Sequence, residues 1–561
     1  MADDDPIVAA VMHRLYTARG VVDFGEFEAS LDRLLAPDLL GLPEAAQALA
    51  GAMAHDESIL IIGDYDADGA TGTALAMRGL ARLGARRLSY LIPDRATEGY
   101  GLTPAIVARA CMSRPQWIVT VDNGINSIDG ARAAKEAGVR LIITDHHLPG
   151  PVLPVAAAIV NPNQAGCPFP SKALAGVGVV LYLLIAIRRI RGCDVPLADL
   201  LDLVALGTIA DCVPLDANNR LLVRHGLRRI NGGAVNPGIA ALIGVSGRRL
   251  GAVLAQDLGF QIGPRLNAAG RLADMATGVR LLLTEDDAEA QALAAHLDAL
   301  NRERRTREAQ MQSEAQAVLQ SVAVADLPAG LCVMDDGWHP GVIGILASRL
   351  KDQYQRPVLA LAPAEDGLLR GSGRSVGALN LRDALAAIAE RHPRLFVKFG
   401  GHAAAAGFTV ARGDFAHLAT VFADEVWRRC GPPPYPDRRV DGPLEGPELS
   451  IAVARAVRAG GPWGNGFAEP LFTGEFTVTE GAPVRGGHWR LRLTREDLAT
   501  PLKAMVFRCA AGPVAGRIHA DYRISVDEYG GRTELCLLIE AWGVVGALSS
   551  CGVQWANENT G

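Results

Sequence analysis

The sequence has no CxxC pair and no regular spacing among its nine cysteines, which argues against a disulfide framework or a zinc knuckle and points to a reducing compartment. It shows no apolar leader. Met1-Ala2-Asp3-Asp4-Asp5-Pro6 is acidic and runs into no secretory-type core, so a cytoplasmic location is expected. It also lacks an apolar run of membrane-spanning length. Ala173 to Ile187 falls short of the roughly 17 to 25 residues a span needs, and reads as a buried helix ending in Arg188, Arg189 and Arg191. Nor is positive charge in excess, since 55 Lys and Arg against 61 Asp and Glu leave a net −6. That balance argues against coating nucleic acid by bulk electrostatics, while leaving room for a local basic channel. Arginines do gather at Arg86/Arg87, Arg224/Arg228/Arg229, Arg302/Arg304/Arg305/Arg307 and Arg438/Arg439, but such runs are commonly solvated helix faces.

What is present is the composition of a soluble enzyme, 49% apolar and 21% charged. At about 100 to 200 residues per domain, 561 residues predict three or four units. From about Ser58 to Asp211 the chain repeats a short apolar strand, a polar or acidic tip and an alanine-rich helix, the pattern of a parallel sheet covered on both faces. The expected strands are Ile59 to Ile62, Leu88 to Ile92, Trp117 to Val121, Leu141 to Thr144 and Ala157 to Val160. Helices are expected over Ala70 to Leu83, Pro104 to Met112 and Ser127 to Ala137, with Gly138 as a C-cap. Thr284 to Gln320, free of Pro and Gly, reads as one long helix of about 50 Å opened by a Thr284/Asp287 capping box, a connector that would leave a cleft between two domains. A second α/β unit runs from Leu331 to about Cys430, followed by the stiff linker Gly431 to Pro436. Beyond it, five β-like segments and a hairpin turn at Tyr529-Gly530-Gly531-Arg532 suggest a small barrel of the oligonucleotide-binding (OB) type. Its aromatics Phe472, Phe476, Trp489, Phe507 and Tyr522 fit a core better than a base-stacking platform.

The stretch Gly63-Asp64-Tyr65-Asp66-Ala67-Asp68-Gly69 carries the chemistry. Directly after the apolar Ile59 to Ile62, a buried strand delivers three alternating carboxylates to its own carboxyl end, where ligands of such sheets bind. Carboxylates this close resist ionising together unless cations sit among them. An EF-hand loop is the competing reading, but its twelfth position is Leu75 and the preceding element is not helical. Three further tips carry similar groups: Asp122-Asn123-Gly124 after Val121, Asp145-His146-His147 after Thr144, and Asp211 after Gly207-Thr208-Ile209-Ala210, taken as a fourth strand end. Together these exceed the needs of one metal and suit two. Oxygen donors with imidazole and no thiolate favour Mn²⁺ or Mg²⁺ over zinc. A pair roughly 3.5 to 4 Å apart activates water for attack on phosphorus, so phosphoryl-ester hydrolysis is expected.

Asp64 to Gly69, Val121 to Gly124, Asp145 to His147 and Gly207 to Asp211 resemble the successive motifs of the DHH phosphoesterase superfamily. Downstream, Gly263-Pro264-Arg265-Leu266-Asn267-Ala268-Ala269-Gly270-Arg271, Trp338 to Gly344, Gly371-Ser372-Gly373-Arg374-Ser375 and Phe399-Gly400-Gly401-His402-Ala403 resemble those of the RecJ-type single-strand-specific 5′ to 3′ exonucleases within it. The matches run in order over about residues 58 to 410. The resemblance implies an N-terminal helical segment at 1–50, a DHH catalytic domain at 51–283, a connector helix at 284–325, a DHHA1-type substrate-binding domain at 326–430 and an OB-like β domain at 436–561. It implies that Asp68, Asp122, His146 and Asp211 hold one metal while Asp64, Asp66 and Asp122 approach the other, with Asp122 bridging and His147 beside the metals or the substrate phosphate. Asp145, if the strand persists, points away and braces the site.

On the substrate side, Arg265, Asn267 and Arg271 lie in a glycine-flanked segment suited to gripping phosphate. Ser372 and Arg374 have the chemistry to receive a terminal 5′-phosphate, Arg95 could reach the same end, and the resemblance adds His402 at the scissile region. The implied activity is hydrolysis of single-stranded DNA from the 5′ end to mononucleotides in recombination and repair, with a single-strand-binding protein and a helicase as partners and no membrane. The alternatives are a phosphodiesterase of short oligonucleotides or cyclic dinucleotides, a pyrophosphatase, or a DNA-binding scaffold without catalytic metals. The barrel-like region, the Gly400-Gly401-His402-Ala403 segment and the intact acidic set argue against these in turn.

Overall fold

In the computed structural model, residues 5–27, 30–94, 98–319, 327–377, 379–433, 440–485, 487–507, 509, 512–513, 515–528, 533–545 and 554–555 are described. Contacts divide the chain into two compact units. One comprises Met12–Asn301 with Ala456–Glu469, and the other Met1–Val11, Arg302–Arg455 and Pro470–Gly561.

The first unit is built on five parallel strands, β1 (Ile59–Ile62), β2 (Leu88–Leu91), β3 (Trp117–Val121), β4 (Arg140–Thr144) and β5 (Ala158–Val160), in the order β2-β1-β3-β4-β5. Successive side chains of a strand point to opposite faces, and here both faces are covered. Ile59, Ile61, Val119 and Val121 join one core with Leu75, Val177 and Leu206 from three helices, Ala67–Arg82, Gly176–Arg191 and Leu201–Ala210. Leu60, Ile62, Ile118 and Ile143 join another with Ile106 and Ala131 from the helices Pro104–Cys111 and Ile128–Glu136. The strand order reverses between β1 and β3, so the crevice at their carboxyl ends is where a ligand is expected. The helix Leu42–Ala54 adds Leu42, Ala46 and Leu49 to the first core.

Several expected elements differ. Gly207 to Ala210 is no strand tip but the last turn of the helix Leu201–Ala210, with Asp211 as its C-cap. That helix is buried along Leu201 to Ile209, and a continuous apolar run does not distinguish a buried helix from a buried strand. The helix expected from Ala70 starts at Ala67 because Asp66 caps it, accepting from Gly69 N at 3.0 Å. The glycine-flanked segment Gly263–Leu272 is a helix, entered from a π-helical turn at Leu258–Ile262. The long helix is Asp287–Leu319, 33 residues. Its cap is Asp286, which accepts from Glu289 N at 3.0 Å, whereas the Thr284 hydroxyl donates to the Glu289 carboxylate.

The second unit holds a mixed sheet of β6 (Leu331–Met334), β7 (Val358–Pro363), β8 (Leu368–Arg374), β9 (Phe396–Gly401) and β10 (Ala405–Ala411), in the order β6-β7-β8-β10-β9. Only β6 and β7 pair in parallel. The helices Ile343–Tyr354, Leu381–Arg391 and Phe415–Cys430 pack on it. It also holds a barrel of β11 (Phe472–Val484), β12 (His488–Thr494), β13 (Leu502–Val506), β14 (Gly516–Asp527) and β15 (Glu534–Val544), closed by parallel pairing of β13 with β15. A short β16 (Gln554–Trp555) pairs with β15. Phe472, Phe476 and Tyr522 are buried in the barrel, Trp489 is half-buried, and Phe507 is 40% exposed. Met1 to Asp4, Arg95, linker residues Pro434 to Pro436, Arg438, Arg439 and the turn Tyr529 to Arg532 lie outside the described residues. Among the described residues no helix is long and apolar enough to cross a membrane, and Gly176–Arg191 is a largely buried helix with the three arginines in its last turn.

Candidate metal centre

The loop after β1 is held from three sides. Asp68, in the first turn of Ala67–Arg82, accepts from Gly176 N at 2.6 Å and Val177 N at 2.9 Å, so the amino end of Gly176–Arg191 faces its carboxylate. Gly176 has to lack a side chain there, because a Cβ would stand 2.6 Å from the Asp122 Cβ. Asn267 Oδ1 accepts from Ala67 N at 2.7 Å, and Gly270 lies so close that a Cβ would fall 1.8 Å from the Tyr65 carbonyl oxygen. Asp64 is 4% exposed and accepts from Tyr65 N at 2.7 Å.

Asp122, at the end of β3, adopts a left-handed φ of 63°, an uncommon conformation for a residue with a side chain and one that clusters at functional sites. At the end of β4, Asp145 is buried and accepts from Ile125 N at 2.9 Å, His146 N at 2.7 Å and His147 N at 3.1 Å, and it pairs with His147 Nδ1 at 2.7 Å. It faces the backbone and His147 rather than the cluster of carboxylates. Asn163 Nδ2 donates to the His146 carbonyl at 2.6 Å and Asn161 Nδ2 to the His147 carbonyl at 2.9 Å, fixing the two-histidine turn from behind.

These groups converge. His146 Nε2 lies 3.0 Å from Asp122 Oδ1, 3.5 Å from Asp211 Oδ2 and 4.0 Å from Asp68 Oδ2. Three sets, Asp68/His146/Asp211, Asp64/Asp66/Asp122 and Asp122/His146/His147, each bring their ligand atoms within 4.8 Å of one another. No Lys or Arg pairs with Asp68, Asp122 or Asp211 among the described residues. The buried Asp122 Oδ1 and His146 Nε2 have no hydrogen-bond partner, which leaves both atoms open to a ligand. Burial, then repulsion from Asp211, pushes Asp68 up to about 7; burial and Asp66 push Asp211 up to about 7. Burial and then Asp68 raise Asp122 well above the usual range. Burial and the neighbouring His147 lower His146, keeping a lone pair free to ligate. At His147 burial works against the charge, yet the Asp145 carboxylate outweighs it and raises the ring to about 9. A dense set of oxygen donors with one neutral imidazole fits two hard divalent ions.

Family models match in chain order: the DHH family N-terminal domain over residues 58–208, the DHHA1 domain over 319–428 and the RecJ OB domain over 440–541. The chain is 45% identical over 561 residues to a Dickeya dadantii protein described as the single-stranded-DNA-specific exonuclease RecJ, covering 95% of both chains. The chain belongs to the RecJ family. The Escherichia coli RecJ is 43% identical, with 94% of this chain and 95% of that one covered. The crystal structure of Thermus thermophilus RecJ in complex with Mn²⁺ superimposes with a TM-score of 0.81 at 31% identity, covering 96% of this chain and 76% of that one, and a Mg²⁺ complex of the same protein matches at 0.75. Divalent metals thus occur in solved RecJ structures of the same fold.

Other residues of the RecJ motifs are placed differently from one another. Arg265 is 7% exposed, with Nε 2.9 Å from Asp298 Oδ1 and a second nitrogen donating to the Gln261 carbonyl at 2.5 Å, so its guanidinium is engaged inside the unit. Asn267 faces the carboxylate loop. Arg271 is half-buried in the last turn of the same helix. Ser372 and Arg374 adjoin on β8, with Arg374 donating to Ser372 Oγ at 3.1 Å, and Gly344 packs so closely that a Cβ would stand 2.9 Å from Ser372 Oγ. His402 is exposed at the turn between β9 and β10, its N–H donating to the Ala405 carbonyl at 2.7 Å. Sequence reading missed Tyr100, whose hydroxyl lies 3.2 Å from His147 Nδ1, and also Asn161, Asn163 and Gly176. No periodicity or spacing marks these; only the folded contacts do.

Proposed function

We propose that this chain is a metal-dependent exonuclease specific for single-stranded DNA, hydrolysing phosphodiester bonds from the 5′ end to 5′-mononucleotides in recombination and repair. The observation that carries this reading is the convergence of Asp64, Asp66, Asp68, Asp122, His146 and Asp211 at the sheet's switch point, with Asp122 shared between two of the sets. Asp68, Asp122, His146 and Asp211 would hold one ion and Asp64, Asp66 and Asp122 the other. Bound there, Mn²⁺ or Mg²⁺ supplies a water of lowered pKa and positive charge against the phosphoryl oxygens. The chain's own contribution is rigidity: Asp145 orients His147, Asn161 and Asn163 hold the histidine backbone, and Gly176 and Val177 orient Asp68. His147, kept protonated beside Asp145, would donate to a phosphate oxygen. Ser372 and Arg374 offer a hydroxyl and a guanidinium to a terminal 5′-phosphate. Arg271 and His402 would contact the strand backbone, Arg265 and Asn267 supporting from within, and Arg95 belongs to the same reading.

Incubation with 5′-labelled single strands, duplex, cyclic dinucleotides and pyrophosphate, with Mn²⁺ or EDTA, tests this. Mononucleotides from single strands only, and only with metal, are expected. Cleavage confined to duplex or dinucleotides would overturn it. A single-strand-binding protein and a helicase are the protein partners this activity calls for, to be checked by co-purification.

A further inference from the structure

Asp211 enters the metal set from the carboxyl end of a helix, as the C-cap of Leu201–Ala210. Directly after it the chain reverses at Cys212, which takes a left-handed φ of 60°. A cysteine in that conformation carries a strain of about 1–2 kcal/mol and holds it only where neighbours dictate the backbone. The neighbour is Asn465. Its Nδ2 donates to the Cys212 carbonyl at 2.6 Å, and its own carbonyl accepts from Leu215 N at 2.8 Å, so one residue bridges both ends of the reversal that follows Asp211.

Asn465 is itself firmly placed. It sits in a tight turn closed by Phe467 N donating to the Gly464 carbonyl at 3.1 Å, with Gly466 supplying the positive φ of 71° that such a turn needs. Phe467 is 1% exposed and stacks with Trp463 at 5.0 Å between ring centroids, with the Arg220 guanidinium 4.4 Å over its face. Arg224 donates to the Gly461 carbonyl at 2.8 Å and Tyr16 to the Gly460 carbonyl at 2.9 Å. The segment Ala456–Glu469 therefore belongs structurally to the metal-binding unit, although about 250 residues of chain separate it from Asp211.

We infer that Asn465 is a positioning residue for the metal centre, setting through Cys212 the orientation of the Asp211 carboxylate. This rests on the reading of Asp211 as a ligand given above. Its loss weakens the ion held by Asp68, His146 and Asp211 while leaving contacts to DNA intact.

The test is titration of the metal-free full chain with Mn²⁺, free ion being followed by electron paramagnetic resonance, for the wild type, Asn465→Ala and Asn465→Asp. The aspartate keeps the size and the backbone acceptor but removes the donor, so it carries the test should the alanine variant fold poorly. The expected result is a weaker Mn²⁺ class by about tenfold, the low end for losing an outer hydrogen bond at a metal site. The Mn²⁺ needed for half-maximal hydrolysis should rise in step, with KM for single-stranded DNA unchanged and kcat recovered at saturating metal. Unaltered Mn²⁺ binding in both variants, with only a lower melting temperature, would overturn the inference while leaving the metal centre standing. A wild type that binds no Mn²⁺ would overturn both.

Discussion

Asp122 Oδ1 and His146 Nε2 face each other at 3.0 Å, both buried and neither hydrogen-bonded. Asp122 is also the carboxylate common to two of the ligand sets, so on the proposed allocation its removal would strip a donor from both ions. Asp122→Ala should lower kcat by more than about a hundredfold, beyond the loss that outer-shell partners produce, and should reduce bound Mn²⁺ in equilibrium dialysis. Near-normal turnover would contradict the bridging role.

Gly270 touches no proposed ligand, yet it seats the loop that carries three of them. Gly270→Ala forces a methyl to within 1.8 Å of the Tyr65 carbonyl oxygen, and backbone, unlike a side-chain tip, cannot step aside cheaply. Overpacking of this kind costs about 1–3 kcal/mol. Chemical denaturation should show that loss, accompanied by a fall in kcat as Asp64, Asp66 and Asp68 shift. A variant with unchanged stability and rate would show that the helix Gly263–Leu272 gives way instead.

Arg374 and Ser372 are proposed to receive the terminal phosphate. Arg374→Ala should therefore blunt the preference for 5′-phosphorylated over 5′-hydroxyl strands, by about 1.5–3 kcal/mol if a charge-assisted contact is lost. Competition between the two labelled ends measures it. An unchanged ratio of rates removes the assignment.

Glu425 is a buried carboxylate of the second unit whose charge should contribute to acid stability. Its side chain is fully enclosed, which alone would raise its pKa, but Arg428 at 2.7 Å, Arg429 and Arg391 surround it and hold it below the usual carboxylate range. A group depressed in the folded state stabilises above its unfolded pKa of about 4.3 and loses that contribution as pH falls through the folded value. Melting temperatures of the wild type and Glu425→Gln should thus differ most at neutral pH and converge on acidification below about 4.3. A constant difference down to pH 3 would assign the effect to packing.

Much of this was readable in the chain. The central strands β1, β3 and β4 fall within a residue of their expected bounds because both faces are covered there, so burial writes itself as a mostly apolar run. The acidic tips of β1, β3 and β4 were legible for the same reason. Asp211 was found by its motif but assigned to the wrong element, since a helix buried on all sides leaves no 3.6-residue period. The Thr284 cap failed because three neighbouring residues, Thr284, Asp286 and Asp287, could each serve. Arg265 reads as a grip for phosphate, and the fold pairs it with Asp298.

The sequence alone determined the chemical inventory: which strands end in carboxylate or imidazole, that thiolate ligands are missing, and that an α/β unit is followed by another and then by a barrel. Local composition suffices there, because a strand's burial and a turn's chemistry are written in adjacent residues. The tertiary structure alone decided that Asp68 meets the amino end of Gly176–Arg191, that Asn267 holds the carboxylate loop and that Asn465 spans the turn after Asp211. Each joins residues far apart along the chain, and a distance of about 3 Å between such atoms is set by how helices and sheet pack, which neighbouring residues do not record.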